Sequence, residues 1–460
     1  MKQTNKYALI YCLLLLAFSV CTNTGCKKIL DEKPFSSLDI PDKLPELQGL
    51  MDKYNTLNIN DPCPDEISAD DYYLTFTDWS SQIEQHRRLY TWEKDNLFTN
   101  QSFDWSAPYT SIYYANTVLE AIEKIPKTPA NTIEWNNIKG QALFWRAKNL
   151  MQVATIWAAA YNKSTAVAEQ GIPIRLTTDF NSISSRATIE QSYQRIIDDL
   201  KSSISLLPIT PKHVMRPSSP GAAGFLARTY LSMRMYDSCL KYADISLSYY
   251  STLINYNSSA FINPSGNFPF IQYNPEVIFY SIVNTPSILL NSRAKIDSGL
   301  YQQYESNDLR KSLFFRNNNN GSFGYKGSYS GGNGLFTGIS TDELFLMRAE
   351  ANARLGKIPE AMNDLNTLMI TRWKTGTFIP FSVLDQTSAI NTILTERRKE
   401  LLMRNLRWMD IKRLNKEGFS INLKRKLNDQ LYTLESNSLK FILPIPDDII
   451  ALTGIQQNPR

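Results

Sequence analysis

Helical periodicity dominates the patterned stretches of the chain, and strand-like alternation is scarce. The clearest helix begins at Thr188, which forms a capping-box pattern with Gln191. Apolar residues then recur at steps of three and four: Ile189, Tyr193, Ile196, Ile197, Leu200, Ile204 and Leu207. Pro208 and Pro211 follow and stop the helix. The pattern predicts one amphipathic helix from Thr188 to the first of these prolines.

Two further stretches predict long helices. Residues 140–161 are apolar on much of their circumference, which indicates a helix buried among other helices. Residues 388–413 predict a single helix, on which Glu400 stands four residues before Arg404 and supports an exposed face. The residues expected to face inward on it are Leu394, Leu401, Trp408 and Ile411.

The charges of this last segment are expected to be structural. Residues 396–400 are all charged, and such a run is more typical of an exposed or inter-helix ion-pair face than of a functional patch. Asp410 is expected to pair with a basic neighbour such as Arg407 or Arg413, next to a packed Trp408.

Two helical hairpins repeat one pattern. Residues 221–247 align without a gap on residues 342–368. The alignment pairs Ala227 with Ala349, Met233 with Leu355, Tyr236 with Ile358, Cys239 with Ala361 and Ala243 with Leu365. Small residues at the first and fourth pairs let two helices approach closely, which is typical of tetratricopeptide repeats. Chance similarity between amphipathic helices is the alternative explanation.

Two segments break the helical pattern and carry many aromatic residues. Residues 255–338 contain four prolines, a run of four asparagines and seven late glycines, so they cannot form regular helix. Their glycines alternate with Phe323, Tyr325, Tyr329 and Phe336. Residues 61–109 are a second such segment, with Tyr72, Tyr73, Trp79, Tyr90, Trp92 and Trp105. The sequence therefore predicts a mainly α fold in which helical hairpins scaffold irregular, aromatic-bearing segments.

The first residues predict export. Lys2 and Lys6 precede an apolar run over 7–20, which is too short to span a bilayer as a helix. The following Asn-Thr-Gly-Cys over 23–26 resembles a bacterial lipoprotein processing site, with Cys26 as the acylated residue. Cys21 is a rival, and an ordinary signal peptide that is cut near Gly25 and leaves Cys26 as a thiol is the alternative.

Composition and charge narrow the ligand classes. Aromatic residues make up 12% of the chain, with 24 Tyr and 8 Trp, which favours carbohydrate-like or peptide-like ligands over nucleic acid. The formal net charge is only +5, which is too small an excess of basic side chains to indicate binding of polyanions such as nucleic acid. The two histidines, His86 and His213, lack metal-ligand spacing and disfavour zinc chemistry. Outside the leader, Cys63 and Cys239 are expected to be buried apolar residues.

Seven strings along the chain share one order with a known family: ILDEKP after Cys26, PDEISADDYYL, ATIEQSYQRIIDDLKSSISLLP, DELFLMRAEANARLGKIPEAMNDLN, ERRKELLMRNLRWMDIKR, LPIPDDII and QNPR. These strings resemble the SusD/RagB family of outer-membrane lipoproteins. Their order and spacing match the family over both ends and the middle. The chain departs from it at 403–406, where the family commonly reads Phe-Glu-Gly-His.

This resemblance implies a lipoprotein signal peptide over 1–25 and a single SusD-like domain over 26–460. It implies four tetratricopeptide-like units, a lipid anchor in the outer membrane, exposure at the cell surface, and no catalysis, cofactor or metal. It also implies a partner, a SusC-like TonB-dependent transporter, on whose barrel the lipoprotein sits as a hinged lid. The lid would capture a glycan, or in some members a peptide, for import.

Aromatic side chains in the irregular segments are the predicted ligand contacts, because sugar recognition needs flat apolar platforms together with polar groups for the hydroxyls. The candidates are Tyr72, Tyr73, Trp79, Tyr325 and Tyr329, with Asp78 or Asn333 as polar partners. For each of them the alternative is a core or transporter-facing aromatic.

An acidic cluster offers a second candidate site. Its members, which carry the hard oxygen ligands that calcium prefers, are Asp61, Asp65, Glu66, Asp70 and Asp71. Helix capping by Asp70 or Asp71 in a solvated loop is the alternative. For the whole chain, two other functions stay open: a surface glycoside hydrolase that uses paired carboxylates, and a helical-repeat adaptor that binds only proteins.

Overall fold

Short helices open the part of the chain that the structure describes. The structure is a computed structural model that describes residues 41–98 and 102–460, so the predicted signal peptide over 1–25 and Cys26 lie outside the described residues. Residues 43–460 form one unit. The first helices are α1 (Leu44–Met51), α2 (Tyr54–Leu57), α3 (Pro64–Ser68), α4 (Phe76–Ser80) and α5 (Glu84–Tyr90).

Long helices follow, and each packs against the next one along the chain. They are α6 (Phe103–Ile122), α7 (Thr132–Trp157), α8 (Ile189–Leu206), α9 (Ser219–Ser232) and α10 (Tyr236–Tyr249). Helix α7 packs against α6 and α8, and α9 packs against α8 and α10. Such neighbour-to-neighbour packing is the architecture of helical repeats.

The C-terminal half returns to this stack after an irregular stretch. Its helices are α11 (Ser298–Gln302), α12 (Arg310–Phe314), α13 (Thr341–Arg354), α14 (Ile358–Met369), α15 (Gln386–Glu400), α16 (Arg407–Asn415) and α17 (Asp447–Thr453). Helix α13 packs against α10, α14 and α15, so the two predicted hairpins, α9–α10 and α13–α14, are neighbours in space. The small residues of the repeat are fully buried: Ala227, Ala349, Cys239 and Ala361. The prediction of a mainly α fold built on helical hairpins is confirmed.

Short strands form small antiparallel sheets between the helices. They are β1 (Tyr72–Tyr73), β2 (Gln170–Pro173), β3 (Arg186–Thr188), β4 (Val277–Phe279), β5 (Ile282–Val283), β6 (Lys295–Ile296), β7 (Phe315–Asn317), β8 (Phe323–Tyr325), β9 (Leu335–Phe336), β10 (Ile339–Ser340), β11 (Leu423–Leu427) and β12 (Gln430–Leu434). One sheet has four strands in the order β1-β6-β8-β7. It joins the two aromatic-rich segments, since β1 belongs to the first and the other strands to the second.

Helix α8 forms as the sequence predicts, whereas α7 begins at Thr132, before the predicted stretch 140–161, and ends at Trp157. The Thr188 hydroxyl accepts a hydrogen bond from the Gln191 backbone N–H at 3.1 Å, and the Thr188 N–H donates to the Gln191 side chain at 3.0 Å. This capping box satisfies two N–H groups that have no partner within the helix. Helix α7 is buried on nearly all sides in its second half, as expected from its apolar circumference. Cys63 and Cys239 are buried and not bonded to each other, also as predicted.

The prediction of one helix over 388–413 is wrong. Helix α15 ends at Glu400 and α16 begins at Arg407, and between them Met403 and Asn405 adopt left-handed backbone conformations with φ of 57° and 59°. The Asn405 N–H donates to the carboxylate of Glu66 at 2.7 Å. Contacts from this distant segment therefore decide a break that the local periodicity does not contain.

Buried ion pairs replace the exposed face expected around Glu400 and Arg404. Both side chains are almost fully buried, and they do not pair with each other. Glu400 accepts hydrogen bonds from Arg372 and Arg310, while Arg404 pairs with Asp342 at 2.8 Å. Of the alternatives for the charged run, the inter-helix ion pairs are confirmed.

Asp410 has the structural role that the sequence predicts. Its carboxylate accepts from Arg413 at 2.7 Å and from Arg397 at 2.9 Å, and Trp408 beside it is packed in the core. Charge-assisted hydrogen bonds of this kind hold α15 and α16 at a fixed distance despite the break between them.

Candidate functional site

The four-stranded sheet places its side chains on two opposite faces. Tyr73 is paired with Lys295, and Lys295 with Gly324, so these residues share one face. Tyr72 is paired with Ile296 and points to the other face. Tyr72 and Ile296 are buried, whereas Tyr73 is only half-buried. The alternation of the strand thus separates the two adjacent tyrosines.

Tyr72 belongs to the core. Its hydroxyl donates to the Ile67 carbonyl oxygen at 2.8 Å, and its ring lies 5.7 Å from the ring of Tyr90. Burial raises the pKa of Tyr72 above its ordinary value. With 3% of its surface exposed, the side chain offers no face to a ligand, which corresponds to the core alternative.

Asp78 is brought to the Tyr73–Lys295 face of the sheet by helix α4. Thr75 caps this helix, accepting a hydrogen bond from the Asp78 N–H at 3.1 Å. The Asp78 carboxylate forms an ion pair with Lys295 and accepts from the Thr75 hydroxyl at 2.5 Å. Burial opposes ionisation of Asp78, but these two hydrogen bonds outweigh it and lower its pKa. Asp78 is therefore an anchored anion beside β6.

Trp79 follows on the same helix and is half-buried. Its indole N–H donates to the Arg87 carbonyl oxygen at 3.2 Å, and the Arg87 guanidinium lies 5.6 Å from its ring. The Phe76 ring lies 5.7 Å from the Trp79 ring, and 44% of the Phe76 surface is exposed. We call the set Tyr73, Phe76, Asp78, Trp79 and Lys295 the Trp79 patch. It combines aromatic rings with a fixed ion pair.

The glycine-rich segment turns its aromatic side chains inward. Tyr329 is fully buried, and its hydroxyl donates to Glu276 at 2.7 Å and lies 2.9 Å from the Tyr256 hydroxyl. Tyr325 is also buried, and its ring centroid lies 6.1 Å from that of Phe314. Burial raises the pKa of Tyr325. Both residues match the core alternative, and neither has a ring surface open to a ligand.

The glycine-rich segment can pack tightly because some of its glycines let the backbone approach neighbouring segments closely. A Cβ atom at Gly338 would overlap the Phe279 carbonyl oxygen, and one at Gly324 would overlap the Asn291 carbonyl oxygen. At these two positions glycine is needed because the backbone packs closely against its neighbours.

Asn333 lies apart from the Trp79 patch. Its side chain is exposed, and its carbonyl oxygen accepts from the Thr285 hydroxyl at 2.7 Å beside the β5–β9 pair. The structure therefore brings Tyr73, Asp78 and Trp79 together and separates Asn333 from them. The sequence reasoning missed Phe76 and Lys295. Phe76 could have been found from the sequence, because it stands three residues before Trp79 on the same helix. Lys295 is distant in sequence and is identified only by strand pairing.

Three of the five members of the acidic cluster form ion pairs, and the other two, Asp65 and Glu66, are buried with no basic side chain paired to them among the described residues. Asp61 pairs with Lys148 at 2.5 Å, Asp70 with Arg407 at 2.7 Å and Asp71 with Arg398 at 2.9 Å. Four of the five side chains are buried, so a solvated loop does not describe the cluster. Among the residues at 41–98 and 102–460, no group of three or more His, Cys, Asp or Glu side chains is placed to hold a metal ion.

Two family profiles match most of the chain. The profile described as "Starch-binding associating with outer membrane" matches residues 28–231. The profile described as the SusD family matches residues 326–460. This chain belongs to the SusD/RagB family. No curated protein sequence matches it.

Solved structures show the same fold for this SusD/RagB-family chain. A SusD superfamily protein from Bacteroides thetaiotaomicron has 22% identity and a TM-score of 0.74, over 91% of this chain and 100% of that one. A SusD-like carbohydrate binding protein from Bacteroides vulgatus has 19% identity and a TM-score of 0.67, over 90% and 97%. A "laminarin binding SusD-like protein" has 17% identity and a TM-score of 0.64, over 90% and 97%.

The Trp79 patch of this SusD/RagB-family protein places apolar ring surface next to a hydrogen-bond acceptor. Phe76 and Trp79 offer ring surface, and the carboxylate of Asp78 can accept hydrogen bonds while Lys295 holds it in place.

Within the described residues, no helix combines the length and the apolar character that crossing a bilayer requires.

Proposed function

We propose that the protein is a non-catalytic surface lipoprotein that binds a glycan at the Trp79 patch. The observation that carries the proposal is the half-buried Trp79 beside an exposed Phe76, held next to the fixed Asp78–Lys295 pair. Aromatic rings stack on the C–H faces of sugars, and a carboxylate accepts hydrogen bonds from the hydroxyl groups of the sugar. Membership of the SusD/RagB family and the two carbohydrate-binding structural relatives support a glycan over a peptide.

The protein is further proposed to act as the lid of a SusC-like TonB-dependent transporter and to pass the glycan into its barrel. The first family profile, described as associating with the outer membrane, supports this placement. Purification of the full chain from detergent-solubilised outer membranes is expected to bring a TonB-dependent barrel with it. Repeated isolation of the chain without any barrel would contradict the lid role.

Replacing Trp79 by alanine is expected to weaken glycan binding by about tenfold, or 1.4 kcal/mol, because one stacking platform is lost. Isothermal titration calorimetry of the full chain in detergent measures this with laminarihexaose, maltoheptaose and a mixed peptide pool as probes. Tyr249→Ala is the control, since Tyr249 is an exposed aromatic at the end of α10.

Unchanged affinity in the Trp79 variant would remove the patch from the proposal. Binding of the peptides but of neither sugar would replace the glycan by a peptide. Cleavage of a probe during incubation would establish the hydrolase alternative instead.

Replacing Cys26 by alanine is expected to move the protein from the membrane fraction to the soluble fraction, because the acyl anchor is lost. Cys21→Ala is the matched control and is expected to leave the protein in the membrane fraction. Immunoblotting of the separated fractions measures both. Equal distribution of the two variants would favour an ordinary signal peptide, and release by Cys21→Ala alone would move the anchor to Cys21.

A further inference from the structure

A second aromatic cleft lies on helix α6, outside the Trp79 patch. Its volume is about 280 Å³, slightly below the range that is usual for drug-sized ligands and enough for part of a larger one. Helix α6 forms one wall, the loop 174–185 between β2 and β3 forms the other, and α17 borders it. The lining residues that matter here are Trp105, Tyr109, Tyr113, Thr177, Phe180 and Ser184.

Its aromatic residues form a row that contains two ring pairs. Trp105, Tyr109 and Tyr113 follow one another at four-residue steps on α6, so they lie on one face of the helix. The Trp105 and Tyr109 ring centroids are 5.1 Å apart, and Tyr113 stacks on Phe180 at 5.0 Å. Exposure increases along the row, from 6% for Trp105 to 37% for Tyr113 and 78% for Phe180. The cleft therefore opens at the Tyr113–Phe180 end.

The exposed ring of Phe180 is held in place by its loop. The Asn116 side chain on α6 donates to the Arg175 carbonyl oxygen at 3.0 Å. Thr178 donates to Glu120 on the same helix twice, from its N–H at 2.7 Å and from its hydroxyl at 2.6 Å. An apolar ring that is fixed in solvent by so many polar contacts is a preorganised binding surface.

The polar groups of the cleft favour an uncharged ligand. Among the lining residues that the structure describes, Arg175 alone has a charged side chain. Its guanidinium is occupied, since it donates to the Ser182 carbonyl oxygen at 2.8 Å, to the Ser184 hydroxyl at 3.2 Å and to the Asp179 carbonyl oxygen. What remains along the cleft are hydroxyls and aromatic faces, which suit a neutral ring with one apolar face and hydroxyl groups at its edge.

We infer that this cleft is a second ligand site, which holds one pyranose ring of a neutral glycan against Tyr113 and Phe180. The inference rests on the proposed function for the class of ligand, but its residues are separate from the Trp79 patch. Two sites on one chain bind a long glycan more tightly than either site alone, because the second contact is intramolecular.

Titration calorimetry of the full chain in detergent tests the inference with laminarihexaose and maltoheptaose as probes. Phe180→Ala and Tyr113→Ala are each expected to weaken binding by about fivefold to tenfold. Tyr249→Ala, which replaces an exposed tyrosine outside both sites, is expected to leave the isotherm unchanged. Thermal unfolding of each variant shows whether the fold is kept.

The outcomes separate the two sites. Weaker glycan binding by the Phe180→Ala and Tyr113→Ala variants supports the second site, whether or not Trp79→Ala also weakens binding. Sensitivity to Trp79→Ala alone overturns the second site and leaves the proposed function intact. Absence of any binding by the unchanged chain overturns both.

Discussion

Replacing Arg372 by methionine is expected to lower the free energy of unfolding by about 3–5 kcal/mol, the usual cost of removing one partner from a buried ion pair. Arg372 is fully buried and lies where three parts of the chain meet. Its guanidinium donates to both carboxylate oxygens of Glu276 at 2.9 Å, to Glu400 at 2.7 Å and to the Ile254 carbonyl oxygen at 2.8 Å. Without it, two buried carboxylates lose their common cation.

Urea unfolding followed by tryptophan fluorescence measures this loss. Arg88→Met is the matched control, because Arg88 pairs with Glu84 at the surface and such pairs contribute about 1 kcal/mol or less. Adding Glu276→Gln and Glu400→Gln to Arg372→Met is expected to recover part of the stability, because no unpaired charge then remains. Equal losses for Arg372→Met and Arg88→Met would show that the buried pair does not hold the segments together.

Replacing Asp65 by asparagine is expected to stabilise the protein increasingly as the pH rises from about 4 to about 8. Burial raises the pKa of Asp65 from 3.8 to about 8, with a smaller contribution from Asp104 and an opposing one from Lys412. In this window the unfolded carboxyl is ionised and the folded one is protonated, so folding takes up a proton. The contribution of Asp65 to stability therefore falls with rising pH, by at most about 1.4 kcal/mol per unit. The asparagine side chain does not titrate, so the variant does not lose stability in this way as the pH rises.

Asp70→Asn is the control of opposite sign. Burial opposes ionisation of Asp70, but Arg407 and Arg398 outweigh it and lower its pKa. Its carboxylate contributes stability above the unfolded pKa, and this contribution is lost as the pH falls. Asp70→Asn is therefore expected to destabilise the protein near pH 7 and less so in acid. Unfolding midpoints measured at several pH values test both variants, and parallel curves for Asp65→Asn and the unchanged chain would contradict the raised pKa.

The buried charges also explain why the glycine-rich segment is ordered. Tyr329 donates to Glu276, and Glu276 is held by Arg372, which links this segment to α15 through Glu400. Aromatic residues that look available in the sequence are thereby committed to the core. Rings that stay partly open to solvent lie elsewhere, such as Trp79 on the short helix α4, Tyr113 in the middle of α6 and Phe180 on the loop 174–185.

Local patterns were sufficient for α8 and for the two hairpins, whereas α6 begins inside the 61–109 segment that the sequence indicated as irregular. The capping box at Thr188 and the apolar steps behind it identify α8, and the small residues of the two hairpins identify a repeat whose helices are neighbours. These predictions succeed because hydrogen bonding and periodicity in a helix depend on residues three or four positions apart. They fail at Met403 and Asn405, where a partner more than 300 residues away, Glu66, determines the backbone.

The sequence by itself determined the helical class, the repeat and the family, because these depend on short-range spacing and on motifs in a fixed order. Only the tertiary structure decided which aromatic residues face solvent and which acidic residues are paired. Tyr72 and Tyr73 differ by one strand position, yet one is buried and the other half-exposed. The direction of a side chain in irregular backbone, and the cation that meets a carboxylate, are set by segments that are distant in sequence and meet only in the folded chain.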